Sequence, residues 1–154
     1  MNDLWTVLDR STDFAPLPHE RPRSESLGVM GAGARKDALG RFGEQLATSY
    51  LQDLGFVLLS RNWRSNDPDV RGEIDLVCRE GSAVVFCEVK TRSSLAYGLP
   101  AEAVSRSKQR KIRALARAWL TEQESGWVEV RFDVISVLRS ACGPATVEHL
   151  RAAF

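Results

Sequence analysis

An aspartate, a glutamate and a lysine interrupt two short apolar stretches in the middle of the chain. Glu88 lies 13 residues after Asp75, and Lys90 follows Glu88 with one residue between them. Burying a carboxylate without a partner is unfavourable, and two carboxylates brought together repel each other unless a cation lies between them. Oxygen ligands suit a hard ion, so the pattern favours a Mg²⁺ or Mn²⁺ site with an adjacent ammonium group. The alternative is a structural ion pair between Lys90 and one of the carboxylates.

The two apolar stretches predict a β-hairpin that would bring these charged side chains together. Residues 74–78 and residues 83–89 flank a short turn that contains Gly81, as is typical of hairpins. Because side chains alternate across a strand, the charged residues share a face with core residues, whereas Cys78 and Cys87 lie on the opposite face. We therefore predict that both cysteines are small core residues. The three cysteines of the chain form no Cys-x-x-Cys pair, which argues against a zinc site, and their odd number argues against a disulfide framework.

A series of short motifs along the chain includes this hairpin. In order, the motifs are Phe42-Gly43-Glu44, Asn62-Trp63-Arg64, Gly72-Glu73-Ile74-Asp75-Leu76, Glu88-Val89-Lys90-Thr91-Arg92 and Arg131-Phe132-Asp133-Val134. Together they resemble the YraN-like uncharacterised bacterial protein family, over about residues 39–154. Asp75 with Glu88-Val89-Lys90 also resembles the PD-(D/E)xK nuclease motif of the restriction-endonuclease-like fold.

The resemblance implies a divalent-metal-dependent endonuclease that cleaves DNA. The family is related to archaeal Holliday-junction resolvases, which implies branched or otherwise structured DNA as the partner. Asp75 and Glu88 would hold Mg²⁺ or Mn²⁺, and Lys90 would orient the attacking water or stabilise the transition state. Nucleases of this type often place a helical glutamate beside the metal carboxylates, which implies that Glu44 is a metal ligand or fixes a ligating water. Two symmetric incisions need two sites, so the resemblance is compatible with a homodimer.

The sequence departs from the nuclease motif just before the aspartate. The motif is written Pro-Asp, whereas Asp75 follows Ile74, and a literal Pro68-Asp69 pair occurs earlier in the chain. That pair lies among turn-forming residues, where an aspartate most simply caps its own backbone. We therefore assign the metal-binding role to Asp75 and interpret Asp69 as a loop residue.

The first predicted helix covers residues 37–54 and ends at Gly55. Apolar residues recur along it at the helical period. Glu44 lies at the border of this apolar stripe, about 110° from its centre at roughly 100° per residue. From the helix alone, Glu44 would be a solvated flanking residue. Only the family resemblance makes it a candidate site residue.

A second predicted helix begins after Ser105, which can cap it, and runs to about Gln123. Its predicted buried stripe is Ile112, Leu115, Ala116 and Trp119. Residues 106–117 contain six Lys or Arg and no acidic residue, so phosphate contact is favoured over simple solvation. The candidate nucleic-acid-binding residues are Arg106, Lys108, Arg110, Arg113 and Arg117. Lys108 falls on the buried stripe, so it either extends past the core to solvent or reaches a phosphate or carboxylate near the hairpin.

The remaining elements complete an α/β fold. Residues 56–59 predict a strand before the hairpin, and residues 128–138 and 145–150 predict two strands after the second helix. The first of these two is apolar on both faces, which places it in the centre of a sheet. Within it we expect Arg131 and Asp133 to pair, either structurally or in support of the site. The order helix, three strands, helix, strand, strand predicts a mixed central sheet flanked by helices, and the resemblance implies a restriction-endonuclease-like core.

Length and composition bound the domain organisation. At 154 residues, of which 44% are hydrophobic, the chain suits one domain, which we place at residues 37–154. Residues 1–36 are irregular and contain several Pro, Ser and Gly residues. We expect a flexible arm there, in which residues 4–8 could form a short helix.

Charge and hydropathy restrict the classes of function. The net charge is +1, so any nucleic-acid-binding surface must be local. No apolar run approaches the length of a membrane span, and the chain does not start with a basic leader, so we expect a cytoplasmic protein without membrane contact. Two alternatives to a nuclease stay open. One is a nucleic-acid-binding module that has lost turnover, and the other is an interaction protein whose N-terminal arm binds a partner.

Overall fold

The structure is a computed structural model that describes residues 5–7, 31–93, 104–123, 126, 129–140 and 143–154. In chain order its elements are the strand β1 (Trp5–Val7), the helix α1 (Ala32–Asp53), the strands β2 (Val57–Trp63), β3 (Ile74–Glu80) and β4 (Ala83–Arg92), the helix α2 (Arg106–Glu122), and the strands β5 (Glu129–Leu138) and β6 (Ala145–Leu150). The predicted order of helix, three strands, helix, strand and strand is confirmed, and β1 is an addition before it.

The strands form one mixed sheet in the order β1-β6-β5-β4-β3-β2. β3 and β4 are antiparallel neighbours, as the hairpin prediction requires, and β4 pairs with β5 in parallel. β5 lies between β4 and β6, which explains why its sequence is apolar on both faces. The predictions of a mixed sheet and of a central position for this strand are confirmed.

The two helices cover opposite faces of the sheet. Side chains of α1, including Leu46 and Leu51, pack on the face that carries Cys78 and Cys87, and both cysteines are buried core residues, as predicted. The cluster on the other face, beneath α2, includes Val77, Val84, Phe86, Leu115 and Trp119. Each large apolar side chain buried in this way contributes roughly 1.5–3 kcal/mol to stability. Side chains alternate along β4, so Glu88 lies on the same face as Val84 and Phe86. The charged end of the hairpin therefore faces α2.

Both helices lie close to their predicted positions. α1 ends before Gly55, whose φ of +86° favours glycine. Ser105 caps α2, since its hydroxyl accepts a hydrogen bond from the backbone N–H of Lys108 at 3.3 Å. The buried residues of α2 are the predicted Ile112, Leu115, Ala116 and Trp119. Neither helix of the described ranges combines the length and apolar character that crossing a membrane requires.

The N-terminal segment differs from its prediction in two places. Trp5–Val7 forms a strand that pairs in parallel with β6, so the prediction of a short helix at residues 4–8 is wrong for these three residues. A strand this short is determined by its pairing partner more than by a local pattern. α1 begins at Ala32, so residues 32–36 are helical although they were assigned to the arm. Residues 8–30 lie outside the described part of the chain, so the flexible arm stays a prediction.

Candidate active site

The two predicted carboxylates, Asp75 and Glu88, lie at the end of the β3–β4 hairpin that is opposite its turn. The paired register of the hairpin reaches Leu76 opposite Cys87. Continued by one residue, the same register places Asp75 opposite Glu88, so the two side chains are cross-strand neighbours. Next to this pair, the backbone N–H of Val89 donates to Oδ2 of Asp75 at 2.7 Å. A main-chain amide therefore holds the Asp75 carboxylate in place.

Glu88 is a buried carboxylate with two ammonium partners. Its side chain is 3% exposed, and its Oε1 lies 2.6 Å from Nζ of Lys90 and 3.1 Å from Nζ of Lys108. Of the two alternatives for Lys108, the structure therefore shows contact with a carboxylate of the hairpin. The other oxygen, Oε2, is buried and has no hydrogen-bond partner among the residues that the structure describes. An unpaired buried oxygen is costly, so a further ligand on Oε2 would be stabilising.

The environment of Asp75 favours its neutral form at this position. The pKa of Asp75 is raised to about 7. Burial is the largest cause, and repulsion from Glu88 is the second. The hydrogen bond from Val89 and the charge of Lys108 act in the opposite direction, and Glu44 adds a smaller repulsion. A cation bound between the two carboxylates would relieve the repulsion that Glu88 exerts on Asp75.

A glycine allows α1 to approach the hairpin closely enough to place Glu44 near it. A Cβ at Gly43 would lie 1.8 Å from Oγ1 of Thr91 on β4, so a larger residue would force the helix or the strand to shift. Glu44 follows directly and accepts a hydrogen bond from Nδ2 of Asn62 at 3.0 Å. Although α1 covers the other face of the sheet, the charge of Glu44 still acts on Asp75.

The donor set at the open end of the hairpin fits a hard divalent ion. Asp75 and Glu88 supply carboxylate oxygens, one of which has no partner in the described ranges. Mg²⁺ is commonly bound through one or two carboxylates together with waters and substrate phosphates. Within the described residues, no group of three or more His, Cys, Asp or Glu side chains is arranged to hold a metal ion. Glu44 therefore influences Asp75 without joining it and Glu88 in such a group.

The predicted nucleic-acid-binding residues of α2 do not share one environment. Lys108 is paired with Glu88. The guanidinium of Arg113 lies 5.7 Å from the ring centre of Phe132 and 5.3 Å from that of Phe154, so it packs on one aromatic residue of β5 and on the C-terminal one. Exposed side chains are found at Arg106, Arg110, Arg113 and Arg117. Phosphate contact by these residues stays a prediction.

A cleft of about 540 Å³ begins beside the carboxylates, between α2 and the loop that joins β2 to β3. Its lining includes Arg64, Arg71, Gly72, Lys108 and Lys111. Lys108 connects the cleft to the carboxylates, because the same side chain contacts Glu88. Arg71 and Lys111 were not predicted as site residues, since only the packing of α2 over the start of β3 brings them to one cleft. Arg64 and Arg71, which flank the turn before β3, were the feature of the sequence that pointed to a basic surface here.

A second polar cluster lies on the α1 face of the sheet. Asp133 is completely buried; its Oδ1 accepts a hydrogen bond from Nε of Arg131 at 2.9 Å, and its Oδ2 lies 2.8 Å from Nε2 of His149. The backbone N–H of Ala152 also donates to Asp133 at 2.9 Å. Burial alone would raise the pKa of Asp133, but hydrogen bonds from His149 and Arg131 hold it below its ordinary value. The predicted pair of Arg131 and Asp133 is confirmed, and it connects β5 to β6 and the C-terminal turn.

The rejected Pro-Asp sequence forms a turn. The backbone N–H of Asp69 donates to Oδ1 of Asp67 at 2.9 Å, and that of Asp67 donates to Oγ of Ser65 at 3.1 Å. Side-chain oxygens therefore cap the local backbone, as the turn-forming sequence predicts. The interpretation of Asp69 as a loop residue is confirmed.

Fold and site together define a mixed-sheet α/β protein with paired carboxylates at the end of a hairpin. The sequence profile of the Uncharacterised protein family UPF0102 matches residues 43–137. A UPF0102 protein of Beutenbergia cavernae is 52% identical over 116 residues, which are 75% of this chain and 95% of that protein. A UPF0102 protein of Nocardia farcinica is 45% identical over 129 residues, or 84% of this chain and 98% of that protein. The chain therefore belongs to the UPF0102 family, the YraN-like family that its motifs resemble.

Proposed function

We propose that this protein is a divalent-metal-dependent endonuclease that hydrolyses phosphodiester bonds of DNA, with branched DNA among its substrates. The observation that carries the proposal is the pair Asp75 and Glu88 on adjacent strands, with a buried Glu88 oxygen that lacks a partner among the described residues. The ammonium groups of Lys90 and Lys108 lie beside this pair and offer positive charge to a phosphate. The resemblance of the hairpin to the PD-(D/E)xK motif supports the same chemistry.

Each residue of the site has a role in this proposal. Asp75 and Glu88 would hold Mg²⁺ or Mn²⁺, and Glu44, which within the described residues does not form one ligand group with them, would fix a water bound to the ion. When bound, such an ion would supply a water of lowered pKa and would offset the negative charge that grows on phosphorus. Lys90 orients the attacking water or donates to a phosphate oxygen. As the water oxygen bonds to phosphorus, the water gives up one proton to solvent and the bond from phosphorus to the leaving oxygen breaks. The leaving oxygen takes up a proton from solvent, so the proton balance closes.

Cleavage assays on a panel of DNA structures test the proposal. Labelled four-way junction, flap and duplex DNA are incubated with the full chain and Mg²⁺ or Mn²⁺. We expect cleavage of at least one structure, and we expect Asp75→Ala to abolish it, because one of the two metal carboxylates is lost. Asp69→Ala is the matched control, since Asp69 lies in a turn outside the carboxylate pair. Failure to cleave any of the three structures, or activity that survives in Asp75→Ala, would refute the proposal.

A second candidate function is a nucleic-acid-binding protein on a nuclease scaffold. One observation favours it: the two ammonium groups of Lys90 and Lys108 both pair with Oε1 of Glu88, at 2.6 and 3.1 Å. In that case the charged end of the hairpin would be a structural ion-pair cluster. The same assay separates the two candidates, because the binding protein would retain DNA without cleaving it and Asp75→Ala would leave its DNA affinity nearly unchanged.

A further inference from the structure

We propose that the cleft between α2 and the β2–β3 loop binds a second backbone phosphate of the DNA, with Arg71 and Lys111 as its ligands. The inference rests on the proposed function, because the first phosphate is the one placed at Asp75 and Glu88. It adds the residues that hold the DNA strand beside the cleavage position. Neither residue belongs to the carboxylate site.

The cleft is continuous with the carboxylate pair. The side chain of Lys108 lines the cleft and also places its Nζ 3.1 Å from Oε1 of Glu88. A strand with one phosphate at Glu88 would therefore continue directly into the cleft. The cleft volume of about 540 Å³ lies within the range typical of sites for small ligands, roughly 300–1,000 Å³. It is thus large enough for a piece of the backbone of about nucleotide size.

Unbalanced positive charge is the second argument. Arg64, at the edge of the cleft, is neutralised by Glu73 at 2.7 Å. In contrast, neither Arg71 nor Lys111 has a carboxylate partner within the described ranges, and Arg71 donates only to the backbone oxygen of Pro68 at 3.4 Å. Both side chains are exposed. The cleft lining also includes the carboxylate of Asp67, so its cations are Arg64, Arg71, Lys108 and Lys111 against the two acids Asp67 and Glu73. Positive charge is therefore in excess, and exposed cations without an acidic partner can neutralise phosphates, with release of counterions from DNA.

The backbone at Gly72 is the third argument. Its φ is +131°, and a Cβ at this position would lie 2.5 Å from Cε of Lys111 and 3.3 Å from Cδ1 of Leu115. A side chain at residue 72 would therefore displace Lys111 from the wall of the cleft. The preceding loop is fixed by local hydrogen bonds, including one from the N–H of Val70 to the carbonyl oxygen of Asp67 at 3.1 Å. The glycine and the fixed turn together keep the two cations at the cleft.

Binding of DNA at several salt concentrations tests the inference without any need for cleavage. The probe is a labelled four-way junction, and affinity is measured by fluorescence anisotropy in EDTA. Each phosphate contact contributes about 0.9 to the slope of log K against log salt. We therefore expect the double variant Arg71→Gln, Lys111→Gln, which removes both ligands of this one phosphate, to have a slope smaller by about 0.9 and to bind roughly 8-fold more weakly at about 0.1 M salt. Lys111→Arg should retain the slope, because the charge is kept.

Arg79→Gln is the matched control for loss of charge. Arg79 is exposed at the turn end of β3, about 17 Å by the rise of the strand from Ile74, where β3 begins next to the cleft. The inference is overturned if the double variant keeps the wild-type slope, if Arg79→Gln lowers the slope equally, or if the wild-type chain does not bind the junction. If the double variant loses slope but no DNA is cleaved with Mg²⁺, the phosphate-binding cleft stands and the proposed nuclease activity fails.

Discussion

Glu88 is the side chain on which the electrostatics of the candidate site depend most. It is 3% exposed, and both of its cation partners are lysines that come from different elements, β4 and α2. Because either lysine can partly neutralise it, the loss of one should be tolerated better than the loss of both. This redundancy can be measured independently of any catalytic activity.

A double-mutant cycle on Lys90 and Lys108 makes this prediction quantitative. We expect Lys90→Ala and Lys108→Ala each to destabilise the fold modestly in metal-free buffer. Together they leave a buried carboxylate without a cation, which costs about 3–5 kcal/mol. The coupling energy should therefore be roughly 1 kcal/mol or more, within the range seen for residues of one network. Urea denaturation measures all four proteins, and strictly additive small effects would contradict the role assigned to Glu88.

The residues of the site were predictable to different degrees. Asp75, Glu88 and Lys90 stand out in the sequence because charges are unusual within apolar strands. The amide of Val89 that holds Asp75 has no signal in the sequence, since any residue supplies an amide. The second partner of Glu88, Lys108, was placed on the buried stripe of its helix, but the sequence alone left open whether it points to solvent or to the hairpin.

At the scale of elements, the contact of α1 with β4 depends on a single glycine. A Cβ at Gly43 would overlap Thr91, whereas a Cβ at Gly40, in the same helix, would meet nothing within 4 Å. We expect Gly43→Ala to lower the free energy of unfolding by about 1–3 kcal/mol through overpacking. Gly40→Ala is the control and should raise it by roughly 0.5–1 kcal/mol, because alanine favours the helix. Urea denaturation would contradict this packing if the two substitutions had the same effect.

The pairing of β5 with β6 contains a pH-dependent contribution from Asp133. Hydrogen bonds hold its pKa below the ordinary value of 3.8, so the folded state resists protonation of this carboxyl. The stabilisation is therefore fully present above about pH 4 and is lost as the pH falls through the folded-state pKa. Asp133→Asn should lose about 3–5 kcal/mol near neutral pH and should show a flatter acid dependence than the wild type.

Urea denaturation between about pH 3 and pH 7 measures this difference. The control is Asp53→Asn at the end of α1, where the side chain is exposed and makes no ion pair within the described residues. Near neutral pH, the free energy of unfolding of this variant should lie within about 0.5 kcal/mol of that of the wild type, as is usual for exposed substitutions. If the free energy of unfolding falls with decreasing pH to the same extent in the wild type and in Asp133→Asn, then Asp133 is not the cause of the loss of stability in acid.

At the scale of the whole molecule, the sequence predicted elements whose patterns are local. The hairpin, the buried stripe of α2 and the central strand β5 follow from alternation and helical periodicity within one segment. Features that depend on distant packing were missed. Trp5–Val7 is a strand only through its partner β6, and Arg71 meets Lys111 only because α2 lies over the start of β3. His149 shows no periodic signal that would link it to Asp133.

Metal-dependent cleavage tests the central claim that Asp75 and Glu88 hold a divalent ion for hydrolysis of DNA. The measurement is the single-turnover cleavage rate of a labelled four-way junction as Mg²⁺ is titrated, for the wild type and for Asp75→Asn. We predict a rate that saturates with Mg²⁺ in the wild type, no cleavage in EDTA, and a rate roughly 10²–10³-fold lower in Asp75→Asn, as expected when a group that stabilises transition-state charge is lost. Cleavage that persists in EDTA, or a wild-type rate in Asp75→Asn, would contradict the claim.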